Sequence, residues 1–303
     1  MSHQPSVPSG ALSELKVTPK HTPKSGKCKP VVLAIISDVH AGSTTAVCPD
    51  TIRLDDGGEY RASKPQRWLF ANYRDYWQQI AAKRDELKAE LYVVINGDLV
   101  EGDHHKSTQI MSANPNAQRL AWTACAAEFL AIKPDHIAII RGTGAHAGES
   151  ARAEETIADG LRRDKRPIIG DPETGTASWW HWRPEIQGVR LDFTHHGRMG
   201  RLPRTRRSNL VLYAWDIFDE HGETGQPAPH LCFRGHNHKR GDTGDSCPVR
   251  VVATGAWQLG TEHVKKVSPD SLADIGGAYV VIDRGDYEVR QIKYQHERPI
   301  WRP

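Results

Sequence analysis

Val31-Val32-Leu33-Ala34-Ile35-Ile36, followed at once by Ser37-Asp38-Val39-His40, is the stretch on which the fold turns. The apolar run is too short to cross a membrane and has the length of a buried strand. An Asp and a His two residues apart at the end of such a strand can aim at one point beyond it. Carboxylate plus imidazole is a metal-binding combination. One Asp-x-His arises by chance in many chains, so its weight depends on whether other strands end the same way.

Four others do. Leu91-Tyr92-Val93-Val94-Ile95 runs into Asn96-Gly97-Asp98, with Glu101 three residues on. His136-Ile137-Ala138-Ile139-Ile140 runs into Arg141-Gly142-Thr143-Gly144-Ala145-His146. Val189-Arg190-Leu191-Asp192-Phe193-Thr194 leads to His195-His196-Gly197, and Leu231-Cys232-Phe233-Arg234 to Gly235-His236-Asn237-His238. Each alone has an ordinary explanation: Asp38 or Asp98 as a cap or turn residue, His195 or His196 as a satisfied core or surface histidine. Five in order, each at a strand end, point to a metal centre.

Working outward, further strands are expected at 249–254, 278–283 and 288–294, and helices at 67–90, 117–132 and 150–163, from apolar spacing. The first half alternates strand and helix, and the second half is mostly strands. This predicts an α/β (α+β) architecture with some antiparallel pairing late in the chain. Residues 1–29, rich in Pro, Ser and Lys, read as a flexible arm before a single domain over 30–303. Residues 42–66 and 198–229 fit no core element and read as long loop insertions at strand ends.

Of the 303 residues, 38% are hydrophobic and 25% charged, which suits a globular protein with a real core. The net charge of +3 says little about partners, whereas 16 His is a high count that the strand-end clusters help explain. Five Cys with no C-x-x-C spacing argue against a disulfide framework or a thiolate zinc site. No long apolar stretch or signal-peptide layout stands out, so the expectation is a cytoplasmic protein without a membrane partner.

The ordered blocks resemble the calcineurin-like metallophosphoesterases, whose signature runs D-x-H, G-D-x-x-[DE], G-N-H-[DE], a His before Gly, and G-H-x-H. The match spans Asp38 to His238. The resemblance implies a four-layer αββα sandwich of two mixed sheets flanked by helices, with two divalent metal ions at the strand ends. It implies Asp38, His40, Asp98 and His238 on the first metal, and Asp98 bridging to a second that also takes His196 and His236. His196 is taken over His195 because it directly precedes Gly197, strand alternation then turning His195 to the other face. The third block departs from the pattern: Gly142-Thr143 is followed by His146, with no Gly-Asn-His. His146 is expected either as general acid or as a replacement metal ligand. The departure is similar to a variant of phage and prophage phosphoesterases, which would place the chain in a host cytoplasm.

A mixed His and carboxylate shell suits manganese first, with iron, zinc or nickel as alternatives. The expected reaction is hydrolysis of a phosphate ester, with Asp98 and His146 as catalytic residues. Arg198, Arg201, Arg204, Arg206 and Arg207 put five Arg in ten residues just after His196. Guanidinium groups suit phosphate, so Arg198, Arg201 and Arg204, with Thr143, are candidate substrate contacts, and DNA or RNA is the expected substrate. The alternatives are a phosphomonoesterase acting on phosphoproteins or nucleotides, and a metal-binding scaffold whose catalysis has degraded.

Overall fold

The computed structural model describes residues 28–103, 108–200, 203–268 and 271–296. The expected arm lies, up to residue 27, outside the described residues. β1 (Val31–Ile36) is buried along its whole length. It pairs in parallel with β4 (Glu90–Asn96), which pairs in parallel with β5 (His136–Ile140). On the other side β11 (Ile275–Asp283) and β12 (Asp286–Tyr294) add antiparallel strands, giving the order β12-β11-β1-β4-β5. The second sheet repeats this plan. β7 (Val189–Phe193), β8 (Leu231–Arg234) and β10 (Arg250–Ala253) are parallel, and β6 (Glu185–Ile186) and β9 (Gly241–Asp242) lie antiparallel at its edges.

Three apolar clusters make this a four-layer αββα sandwich. Leu33, Ile35, Val94 and Ile140 of the first sheet meet Leu191, Phe193, Phe233 and Val252 of the second in the central layer. The outer face of the first sheet packs on α1 (Lys64–Leu87), α2 (Pro115–Ala131) and α4 (Arg152–Arg163) through Leu69, Tyr73, Trp77, Trp122, Phe129 and Ile157. α1 starts at Ser63, whose hydroxyl accepts from the Gln66 N–H while Gln66 reaches back to the Ser63 N–H. The chain also forms a hairpin of β2 (Thr51–Arg53) and β3 (Glu59–Arg61), the short turn α3 (Gly144–Ala147) and the short helix α6 (Glu262–Val267).

The fourth layer departs from the sequence expectation. Residues 198–229 contain α5 (Pro203–Thr224), where a loop insertion was expected. Leu210, Ala214 and, half-buried, Tyr213 and Ile217 close over Cys232 and Val251 of the second sheet and over Val249 just before β10. Their three- and four-residue spacing is a helix signal, and Pro203 suits a first turn. The run of arginines ahead of them masks that signal and gives the segment the look of a basic loop. No helix among the described residues is long and apolar enough to cross a membrane.

Candidate metal centre

The parallel strands of both sheets deliver their C-terminal ends to one place, the usual ligand crevice of parallel sheets. Beyond β1 and β4 the two loops stay zipped: Asp38 N donates to Gly97 O (3.1 Å), His40 N to Asp98 O (3.0 Å) and Ala41 N to Leu99 O (2.9 Å). Asp38, His40 and Asp98 take φ of 54°, 48° and 52°, and His236 and His238 take 68° and 51°. Left-handed backbone is disfavoured for such residues and gathers where surrounding structure enforces it, commonly at functional sites. Two glycines make the approach possible. A Cβ on Gly97 would lie 2.3 Å from His195 Nδ1, and one on Gly142 2.2 Å from Asp98 Oδ1.

The side chains converge in three groups, each with its donor atoms within 4.8 Å of one another: Asp38, His40 and His238; His40, Asp98 and His146; and Asp98, His195 and His236. Asp38 Oδ1 is the clearest sign of a cation site. It is buried and accepts no hydrogen bond, yet His238 Nε2 stands 3.2 Å away and the Nε2 atoms of His40 and His195 each 3.8 Å. His40 Nε2 and His238 Nε2 also face each other at 3.1 Å. A buried carboxylate oxygen ringed by imidazole nitrogens matches the donor chemistry of Mn²⁺, Fe or Zn²⁺. The residues therefore fit the group that the sequence implies.

The imidazoles are oriented from behind, as metal-ligating histidines usually are. His40 Nδ1 lies 2.9 Å from Glu101 Oε2, and Glu101 in turn accepts from Gln258 Nε2 at 2.8 Å. His195 Nδ1 is 2.6 Å from the Asn96 carbonyl, and His146 Nδ1 2.7 Å from the Glu101 carbonyl. A carbonyl only accepts, so Nδ1 carries the hydrogen in both rings and Nε2 presents a lone pair when the ring is neutral. His195 Nε2 is then 3.0 Å from Asp98 Oδ2.

Ionisation follows the same geometry. Burial alone would lower the pKa of His40, but Asp38 and Glu101 outweigh it and raise it to about 10. Burial is likewise outweighed at His195, where Asp98 and Asp38 raise the pKa to about 9. Burial works against ionising Asp98, yet His195 and His40 hold its carboxyl below the ordinary range. At His146, burial and then the His40 charge lower the pKa. His236 is pushed down to about 4 by burial and the His195 charge.

Among the expected residues, Asp38, His40, Asp98, His146, His236 and His238 come together. The two members of the His pair are placed differently. His195 is 1% exposed and faces the carboxylates, whereas His196 is exposed and belongs to none of the donor groups. Its ring lies 4.7 Å from that of His236. Strand alternation fails as a guide because β7 ends at Phe193, and both histidines lie in the loop beyond it. Thr143 turns inward: its N–H and hydroxyl donate to Asp98 Oδ1 at 2.7 and 2.8 Å. Arg198 is engaged by Asp216 (2.7 Å) and lies over the Tyr213 ring. Arg204 is exposed on the first turn of α5, and Arg201 lies outside the described residues.

Two participants carry no signal in the sequence. Gln258 follows β10, a strand end with no acid or histidine to mark it. Glu154 is fully buried in α4 with neither carboxylate oxygen hydrogen-bonded, and burial followed by the Asp98 charge raises it to about 8. It reads in sequence as an ordinary first-turn acid.

No family model matches the chain, and no curated protein does. Among solved structures it is similar to a Thermotoga maritima protein determined by solution NMR, with 12% identity and a TM-score of 0.37 over 87% of this chain and 99% of that one. It is also similar to a dimetal phosphatase from Danio rerio (11% identity, TM-score 0.36, 88% and 99% covered) and to a 5′-nucleotidase from Candida albicans (11%, 0.35, 91% and 53%). Such scores assign neither family nor substrate.

Proposed function

We propose that this chain is a metal-dependent phosphoesterase with a dinuclear centre, acting as a phosphodiesterase or nuclease on nucleic acid. The observation that carries the reading is the position of Asp98, shared between a donor group with His40 and one with His195 and His236. A carboxylate common to adjacent donor groups is what a two-ion site requires. Asp38, His40, Asp98 and His238 would hold one ion, and Asp98, His195 and His236 the other. His146, grouped with His40 and Asp98, would add an imidazole on the His40 side of the centre. Bound there, two divalent ions would polarise a phosphoryl oxygen and lower the pKa of a bound water. The chain's own contribution is orientation: the Asn96 and Glu101 carbonyls fix the tautomers of His195 and His146, the Glu101 carboxylate, held by Gln258, stands against His40, and Thr143 steadies the Asp98 carboxylate.

The test is hydrolysis of bis-p-nitrophenyl phosphate against p-nitrophenyl phosphate across Mn²⁺, Mg²⁺, Zn²⁺ and Ni²⁺. Preference for the diester, greatest with Mn²⁺, is expected. Turnover of the monoester alone would establish a phosphomonoesterase instead. Stoichiometric metal binding without turnover of either ester would point to the scaffold role.

A further inference from the structure

The arginines that follow the histidine pair extend beyond the positions that the sequence marks as substrate contacts. Arg206 and Arg207 on α5 line one cavity together with Arg240, Asp242 and Leu210. Its volume is about 360 Å³, within the ~300–1,000 Å³ of small-molecule sites. The lining carries one carboxylate, and that one is already neutralised: Arg250 clamps Asp242 through Nε (2.9 Å) and Nη2 (2.8 Å). Arg206 Nε is buried with no hydrogen-bond partner. Arg240 spends Nε on Gln291 (2.7 Å). No described residue offers an acid within ion-pair distance to Arg206, Arg207 or Arg240. Arg207 is exposed, Arg206 and Arg240 are half-buried, and Arg240 has Asp242 and Asp274 nearby, so the cavity is open, lined by more cations than anions, and suited to an anion.

The chain also brings one wall of this cavity near the metal centre. Arg240 is two residues past His238, so their Cα atoms are at most about 7 Å apart. A polynucleotide carries a phosphate on every residue. A strand with one phosphate at the metal centre would present its neighbouring phosphates to the side chains around it, Arg240 among them. We infer that Arg206, Arg207 and Arg240 form a subsite for a non-scissile backbone phosphate of a nucleic-acid strand. The inference deepens the phosphodiesterase reading and rests on it for substrate class.

Two variants test it: Arg206→Gln/Arg207→Gln, which removes side chains with no acid partner in the fold, and Arg240→Gln. Each is measured with Mn²⁺-loaded protein on bis-p-nitrophenyl phosphate and on a labelled single-stranded 12-mer. The expected result is a KM for the 12-mer raised about tenfold, with kcat/KM on the small diester within twofold of wild type. Fluorescence anisotropy should show the slope of log affinity against log salt shrinking by about 0.7 for each phosphate no longer neutralised. A parallel loss on both substrates, or no change on the 12-mer, overturns the subsite. So does a mononucleotide that binds as tightly as the 12-mer and is equally weakened by the variants. If wild type hydrolyses neither substrate, the phosphodiesterase reading fails by itself. The anisotropy then decides the pocket: an unchanged salt slope removes it, and a reduced one retains it as a strand-binding site.

Discussion

The two sheets are built alike, each around three parallel strands, yet their strand ends carry opposite chemistry. The first sheet supplies the carboxylates Asp38, Asp98 and Glu101 together with His40, all 5% exposed or less. The second supplies imidazoles only: buried His195, half-buried His238, and exposed His196 and His236. Arg206 and Arg207 sit on the helix that covers the second sheet. One half is therefore an anionic, closed seat, and the other a more open rim whose positive charge comes from the arginines. A site divided in this way would suit a cation on one side and an anionic substrate arriving from the other.

The largest effect should come from the seat. Asp98→Ala removes the carboxylate shared by two donor groups. We expect a folded protein, checked by circular dichroism, with no detectable hydrolysis and metal content reduced by half or more in elemental analysis. Retained turnover would break the division of labour outright.

The rim is tested by its histidine pair. His195→Ala should lose one metal equivalent and nearly all activity, while His196→Ala should change kcat by no more than a few-fold. The reverse order would restore the assignment made from Gly197.

Proton competition comes next. In the metal-free protein His40 and His195 are raised to about 10 and 9 by the carboxylates around them, so a metal must displace their protons. The stabilisation that these protonated rings provide is fully present below about 6.5 and is lost as pH rises through 9 to 10. Metal affinity should therefore climb from pH 6 to 9, and the gap in Tm between Mn²⁺-loaded and metal-free protein should widen over that range. Calorimetry in buffers of different ionisation enthalpy would count the protons released.

Glu101→Gln keeps the shape but removes the charge behind His40. Metal affinity should fall about 10- to 100-fold, the usual cost of removing such a partner. The smallest effect belongs to Glu154→Gln. Its carboxyl, raised to about 8, contributes stability below about 4.5 that is lost as pH rises through 8. The metal-free variant should melt a few degrees above wild type at pH 8, at about 2–4 °C per kcal/mol for a chain of this size. At pH 5 the two should coincide.

Much of this is legible in the chain. Alternating apolar runs and helical periods anticipate α1, α2, α4 and most of the strands, because local burial imposes those patterns. Asp38, His40, Asp98, His236 and His238 announce themselves by standing directly after strands. α5 carries a readable signal in Leu210, Ala214 and Ile217, which the preceding arginines obscure. The facing of His195 is not readable, since beyond the end of a strand no period links position to direction. Gln258 and Glu154 are hidden for another reason: nothing local distinguishes a glutamine or a first-turn glutamate that is buried from one that is solvated.

By itself, the sequence determined which segments become strands and which of them end in carboxylate and imidazole side chains, because both are properties of neighbouring residues. The tertiary structure alone decided which histidine faces the carboxylates and which arginines share a cavity. Those outcomes depend on distances between segments far apart in the chain: His195 against Asp98, and Arg206 against Arg240. Only packing the two sheets and α5 together sets those distances.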